Sequence, residues 1–201
     1  MEIHRALDQI SEIHEQLAKG EIYRGFRSVP VAASGLLALA APVAADRFGV
    51  ATSDWRLVAF WSVVAALGML LSSSGIASNY ALRNTERERR LTRRVAGQMI
   101  PCLFSGVLVA AAFLAAGAPL TYLPGLWAIL FGLGVFSARP YLPRMVGWVA
   151  LGYLVAGFHL LLLGWRRPDL LSWGMGLTFG VGQLVSALVL YWNLERNNHH
   201  V

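Results

Sequence analysis

The stretch VAGQMIPCLFSGVLVAAAFLAAGAPLTYLPGLWAILFGLGVFSA, Val95 to Ala138, runs for 44 residues without an Asp, Glu, Lys or Arg. One helix crosses the ~30 Å hydrocarbon layer of a bilayer with about 20 apolar residues. The run is too long for one crossing and about right for two. Gly117-Ala-Pro119 divides it, because proline lacks the N–H that would continue a helix. Backbone in hydrocarbon must satisfy its own amides, so each half is expected to be helical.

The same rule parses the rest of the chain. Uncharged runs extend from Ser28 to Ala45, Leu57 to Leu82, Met145 to Trp165 and Leu170 to Leu194. The expectation is an all-α, polytopic membrane helical bundle of six transmembrane helices paired as three hairpins. The spans are approximately 28–46, 56–79, 97–117, 120–138, 144–164 and 170–192, within a domain of residues 28–194. Residues 1–27 are read as a cytoplasmic amphipathic N-terminal helix and 195–201 as a cytoplasmic tail. No apolar signal segment opens the chain, where Glu2, Asp8, Glu12 and Glu15 intervene.

Composition agrees. The 201 residues are 56% hydrophobic and 14% charged, against about 25% charged in a soluble domain. Cys102 is the single cysteine, which excludes an intramolecular disulfide and a cysteine-based metal cluster. The net charge of +6 is first explained by basic cytoplasmic loops. With the N-terminus inside, 13 of the 17 basic residues fall on the cytoplasmic side; Arg47, Arg56, Arg166 and Arg167 fall opposite. Trp55, Trp61, Tyr122, Trp165 and Trp173 collect towards the outer ends, and Tyr80, Tyr141, Trp148, Tyr191 and Trp192 towards the inner ones, as interfacial belts do. The location implied is the bacterial cytoplasmic (inner) membrane, with both termini cytoplasmic. A faint repeat, Pro30-Val-Ala-Ala-Ser34-Gly35 against Pro101-Cys-Leu-Phe-Ser105-Gly106, is consistent with parallel hairpins, and equally with chance in Ala- and Gly-rich helices.

Two polar segments are candidate contact surfaces. Ile3, Ala6, Ile10, Ile13 and Leu17 are spaced 3, 4, 3, 4, a coiled-coil stripe too short to be stable alone. It would lie on the protein's own cytoplasmic face or lipid headgroups, or dock on a partner or a second copy. Arg83, Arg87, Arg90 and Arg94 recur at 4, 3, 4 on a helix that Thr85 and Glu88 would start as a capping box. Each such cation near an anionic leaflet is worth about 1 kcal/mol, so lipid headgroups or an acidic partner would suit it. Topology marking and Glu–Arg pairing account for it as well. Nucleic acid is excluded for want of any stacking platform or reading motif.

Inside the predicted spans the one ionisable group of functional interest is His159, roughly 7 Å below the outer boundary at 1.5 Å per residue. It is a candidate cofactor-binding residue, an axial ligand for haem or a chlorophyll-type pigment, or a proton-relay group; the structural alternative is an imidazole bonded within the bundle. A serine-hydrolase pairing with Ser34 fails on depth, the two lying on the order of 15 Å apart along the membrane normal. Ser72–Ser74, Gln183 and Ser186 are the remaining polar groups at depth. Gly132, Gly134, Gly147, Gly152, Gly174, Gly176, Gly180 and Gly182 form a small-residue surface for helix packing or for a partner. There is no phosphate loop, dinucleotide fingerprint, metal-ligand cluster or carboxylate pair, so no enzyme and no catalytic residue is expected. The favoured expectation is an accessory membrane subunit binding partner membrane proteins and anionic lipid. The alternatives are a transporter or channel for a neutral or lipidic solute, and a haem- or pigment-binding protein using His159.

Overall fold

The computed structural model describes residues 27–50, 54–82 and 86–196. They form six α-helices: α1 Ser28–Arg47, α2 Asp54–Leu82, α3 Glu86–Ala116, α4 Leu123–Ser137, α5 Val146–Arg166 and α6 Leu171–Leu190. Single 3₁₀ turns at 120–122, 139–141 and 168–170 link the later helices, and a π-helical turn, Tyr191–Glu195, continues α6. No strand occurs among the described residues. All six segments are long and apolar enough to cross a membrane.

The break inside the 44-residue run is a glycine cap. Gly117 takes φ +62°, Ala118 N–H donates to Phe113 O at 2.9 Å and Gly117 N–H to Leu114 O at 3.4 Å. This crossed pair is the Schellman pattern, which needs a left-handed residue that glycine adopts without a β-carbon clash. Pro119 and Pro124 then bracket the turn into α4, where Pro124 sits in the first turn and costs no hydrogen bond.

The helices do not pack in chain order. α1 lies against α6 and α4 against α5; these are the two most extensive interfaces. α5 joins α6, and α2 and α3 attach to α1 and α4 respectively. In space the order is therefore α2, α1, α6, α5, α4, α3, a curved row whose two ends are consecutive in sequence. Helices within each predicted hairpin touch, but the larger interfaces join different hairpins.

Glycine makes the close pairs possible. A β-carbon at Gly35 would lie 3.0 Å from Gly180 O, and one at Gly180 3.1 Å from Gly35 O. Gly125 and Gly157 oppose each other across α4 and α5 in the same way, at 2.8 and 2.9 Å. Pro42 interrupts the α1 hydrogen-bond ladder, leaving the Ala38 carbonyl without its helical donor. Gly176 of α6 packs on Pro42 and over that carbonyl, where a β-carbon would come within 3.0 Å.

Two apolar clusters lie one above the other. One, towards the Arg47 and Arg166 ends of the helices, joins Ala41, Ala45, Leu57, Trp61, Ala128, Leu160, Leu171 and Met175; the other, towards the Arg94 and Arg139 ends, joins Val95, Val135, Leu142, Val146 and Ala150. Val31 packs with Ala187 and Leu190 where α1 begins and α6 ends.

Candidate functional site

Three indoles tie helices together across the bundle. Trp61 is 2% exposed, and its Nε1–H donates to Ser172 Oγ at 3.3 Å, tying α2 to α6. Trp127 donates to Gly106 O at 3.1 Å, tying α4 to α3, and Trp173 donates to Asp46 Oδ2 at 3.1 Å, linking the start of α6 to the end of α1. Trp61 therefore does not belong to an interfacial belt, as its place near the end of a run suggested. It is a core residue, and only a partner as remote as Ser172 distinguishes the two roles. Trp55, Trp165 and Trp173 are exposed, as belt residues are.

The glycine surface read in α4 to α6 is spent almost wholly on internal packing. Gly132 meets Ala150 and Tyr153, Gly134 meets Cys102 of α3, Gly147 meets the Arg139 side chain, and Gly174 meets Leu160 and Leu163. Gly176 and Gly180 face α1, and Gly182 packs on Tyr153. Only Gly152 has nothing within 4 Å of where its β-carbon would stand. Tyr153, Phe131 and Phe179 form an aromatic triad with ring centroids 4.9–5.8 Å apart, joining α4, α5 and α6 at mid-depth.

Among the predicted site residues, Ile3, Ile10, Ile13, Leu17 and Arg83 lie outside the described residues. So does Thr85 of the capping box. Arg87 falls within α3, while Arg90 and Arg94 are exposed along its first turns. The 139–145 turn brings Arg139 and Arg144 to the same end of the row, and Arg196, stacked 4.2 Å from the Trp192 ring, stands there too. At the opposite end Asp46, Asp54 and Asp169 accompany Arg47, Arg56, Arg166 and Arg167. Arg167 and Asp169 form an ion pair at 2.8 Å; its hydrogen bonds hold the Asp169 carboxyl below the usual range and raise Arg167.

His159 is exposed on the side of α5 away from α4 and α6, with Nδ1 2.8 Å from Val155 O. It does not approach Ser34, which is buried in α1 and donates to Val31 O at 2.7 Å. Gln183 sits at the α1 contact beside Gly35. Ser186 Oγ donates to Gly182 O and Ser74 Oγ to Leu71 O, so both hydroxyls turn back onto their own helices.

α2 and α3 are the least buried of the six helices, with 17% and 6% of their apolar stretches covered. In α2 the exposed side chains include Val63, Leu67, Met69, Leu70 and Leu71; in α3 they include Ile100, Phe104, Val107, Leu108 and Leu114. The two helices share no extended interface among the described residues. Where α2 begins and α3 ends they flank an open depression between Asp54 and Trp55 on one side and Phe113 to Leu120 on the other. No family model, curated protein or solved structure matches this chain.

Proposed function

We propose that the protein is a six-pass integral protein of the bacterial cytoplasmic membrane with both termini inside. In this reading it is a non-enzymatic accessory subunit, packing against partner membrane proteins and anionic lipid. The observation that carries the proposal is the isolation of α2 and α3. α2 packs chiefly on α1, with Trp61 reaching α6, and α3 packs chiefly on α4; only 17% and 6% of their apolar stretches are buried. At 1.5 Å per residue their 29 and 31 residues measure about 43 and 46 Å, longer than the ~30 Å apolar layer. Both would therefore project towards the cytoplasm and carry the Arg90–Arg94 surface to the level of the headgroups. The excess of arginine over acid at that end, against a near balance at the other, supports the same orientation. Anionic lipid or an acidic partner would be held there.

The test is extraction in mild detergent after crosslinking from single cysteines placed at Phe104 or Leu108, in a Cys102→Ser background. The expected result is a stoichiometric neighbour captured from α3. A stand-alone protein that yields no adduct and conducts a neutral solute in liposomes would replace this reading with transport. Topology is tested separately: labels at Arg94 and Arg167 must report opposite sides of the membrane.

A further inference from the structure

We infer that the outward face of α5 is a docking site for a metal-centred tetrapyrrole, bound axially through His159 Nε2. The inference presumes that α5 lies in the membrane but is independent of the accessory-subunit proposal.

The imidazole is already prepared for such a bond. Its Nδ1 lies 2.8 Å from Val155 O, and a carbonyl oxygen only accepts, so Nδ1–H is the donor there and the neutral tautomer with this bond has its lone pair on Nε2. A metal-bound histidine typically has this arrangement, with the second nitrogen donating to a backbone carbonyl that fixes ring and tautomer. The side chain is exposed, in a segment whose surroundings would be hydrocarbon. A polar atom there without a partner is costly, so the lone pair calls for an occupant.

What kind of occupant follows from what is missing around it. Among the described residues no three His, Cys, Asp or Glu side chains come together. One imidazole gives a metal one bond, so any metal stably held here must bring its remaining ligands with it. A planar macrocycle does this.

The flanking residues suit a flat, apolar body with an acidic edge. Gly152 and Arg166 lie seven residues either side of His159, which at 100° per residue puts them within about 20° of it around the helix and ~10 Å away along it. Gly152 has open space where a β-carbon would stand, so a ring can lie flat against the helix there. Val155 and Phe158 present apolar surface beside it. Arg166, exposed at the outer end of the same row, offers a guanidinium to peripheral carboxylates, a pairing its fork geometry favours. Coordination forms one dative bond from Nε2 to the metal and transfers no electron or proton.

The test uses the full chain in nanodiscs, titrated with ferric protoporphyrin IX and, in parallel, its dimethyl ester. The expected result is a saturable one-to-one shift of the Soret band, weakened at least tenfold by His159→Ala and weakened also by Gly152→Leu, which fills the flat surface. Arg166→Gln lowers affinity for the free acid by up to about fivefold, the range of a partly exposed ion pair, and leaves the diester unchanged. In His159→Gly, added imidazole restores saturable one-to-one binding beyond the shift that empty nanodiscs show with the same haem and imidazole, which a folding defect would not allow. Binding unaffected by His159→Ala, or no saturable binding to the wild type, overturns the proposal. So does loss of a co-purifying protein in His159→Ala with no Soret response in the wild type, since that result assigns Nε2 to a hydrogen bond with a partner helix.

Discussion

The α1–α6 and α4–α5 pairs and the α2 and α3 helices are built from similar amino acids and packed in opposite ways. In their most apolar stretches 6% of residues in α3 and 17% in α2 are buried, against 28–44% in the other four helices. Hydropathy does not separate them. The difference is where glycine sits: Gly35, Gly125, Gly157, Gly176 and Gly180 all meet opposing backbone, whereas Gly97 of α3 meets nothing. In lipid no hydrophobic force drives apolar helices together, so close backbone approach supplies the attraction. Helices that provide such approach form the core, and those that do not remain at the ends of the row.

This contrast is breakable. The largest expected effect is Gly157→Leu, whose β-carbon alone would stand 2.9 Å from Ile129 N and Gly125 O. Overpacking of this sort costs roughly 1–3 kcal/mol or more, and the backbone atoms involved cannot swing aside, so thermal unfolding in detergent is expected to show a large loss. The matched change Gly97→Leu in α3 is expected to fall within about 0.5 kcal/mol of wild type, less the gain from removing a helix-interior glycine. Equal losses at the two sites would refute the division. Next in size come Trp61→Phe and Trp127→Phe, each removing one indole bond for about 1 kcal/mol; the first should loosen α2 and the second α3, read as faster hydrogen exchange in that helix alone. Gly117→Ala forces a β-carbon into the left-handed region and is expected to cost about 1–2 kcal/mol, so its rank against the indoles measures how firmly the α3–α4 turn is held.

The smallest effect concerns pH. The folded carboxyl of Asp169 titrates below its unfolded value because of Arg167. Its contribution is therefore present above the unfolded pKa and lost as pH falls through the folded one, while the raised Arg167 matters only in strong base. Both groups are exposed, so salt screens the pair. Asp169→Asn is expected to differ from wild type slightly at neutral pH in low salt and not at all in acid. A difference that grows on acidification would contradict the assignment.

Much of this fold is legible in the chain. Charge-free runs and Gly117-Ala-Pro119 identify six helices, because charges and prolines act locally and the bilayer sets the length. The spatial order is not legible. Whether Gly176 belongs to an internal contact or an outer surface depends on Pro42, a residue at the far end of the chain, and no local pattern joins them. The Trp61–Ser172 bond was hidden for the same reason. His159 stood out as the ionisable group at depth, but its orientation depends on which side of α5 the neighbours α4 and α6 take.

The pairing of α1 with α6 has a consequence for biogenesis. The surface around Gly35 and Pro42 is made before its complement around Gly176 and Gly180, with four α-helices between them. At ~5–20 residues per second α1 waits on the order of ten seconds beside the insertion machinery with its small-residue flank uncovered. The α1–α6 interface closes only after α6 has been made, and a ribosome stalled before α6 would leave a nascent chain that quality-control proteases can recognise by that flank.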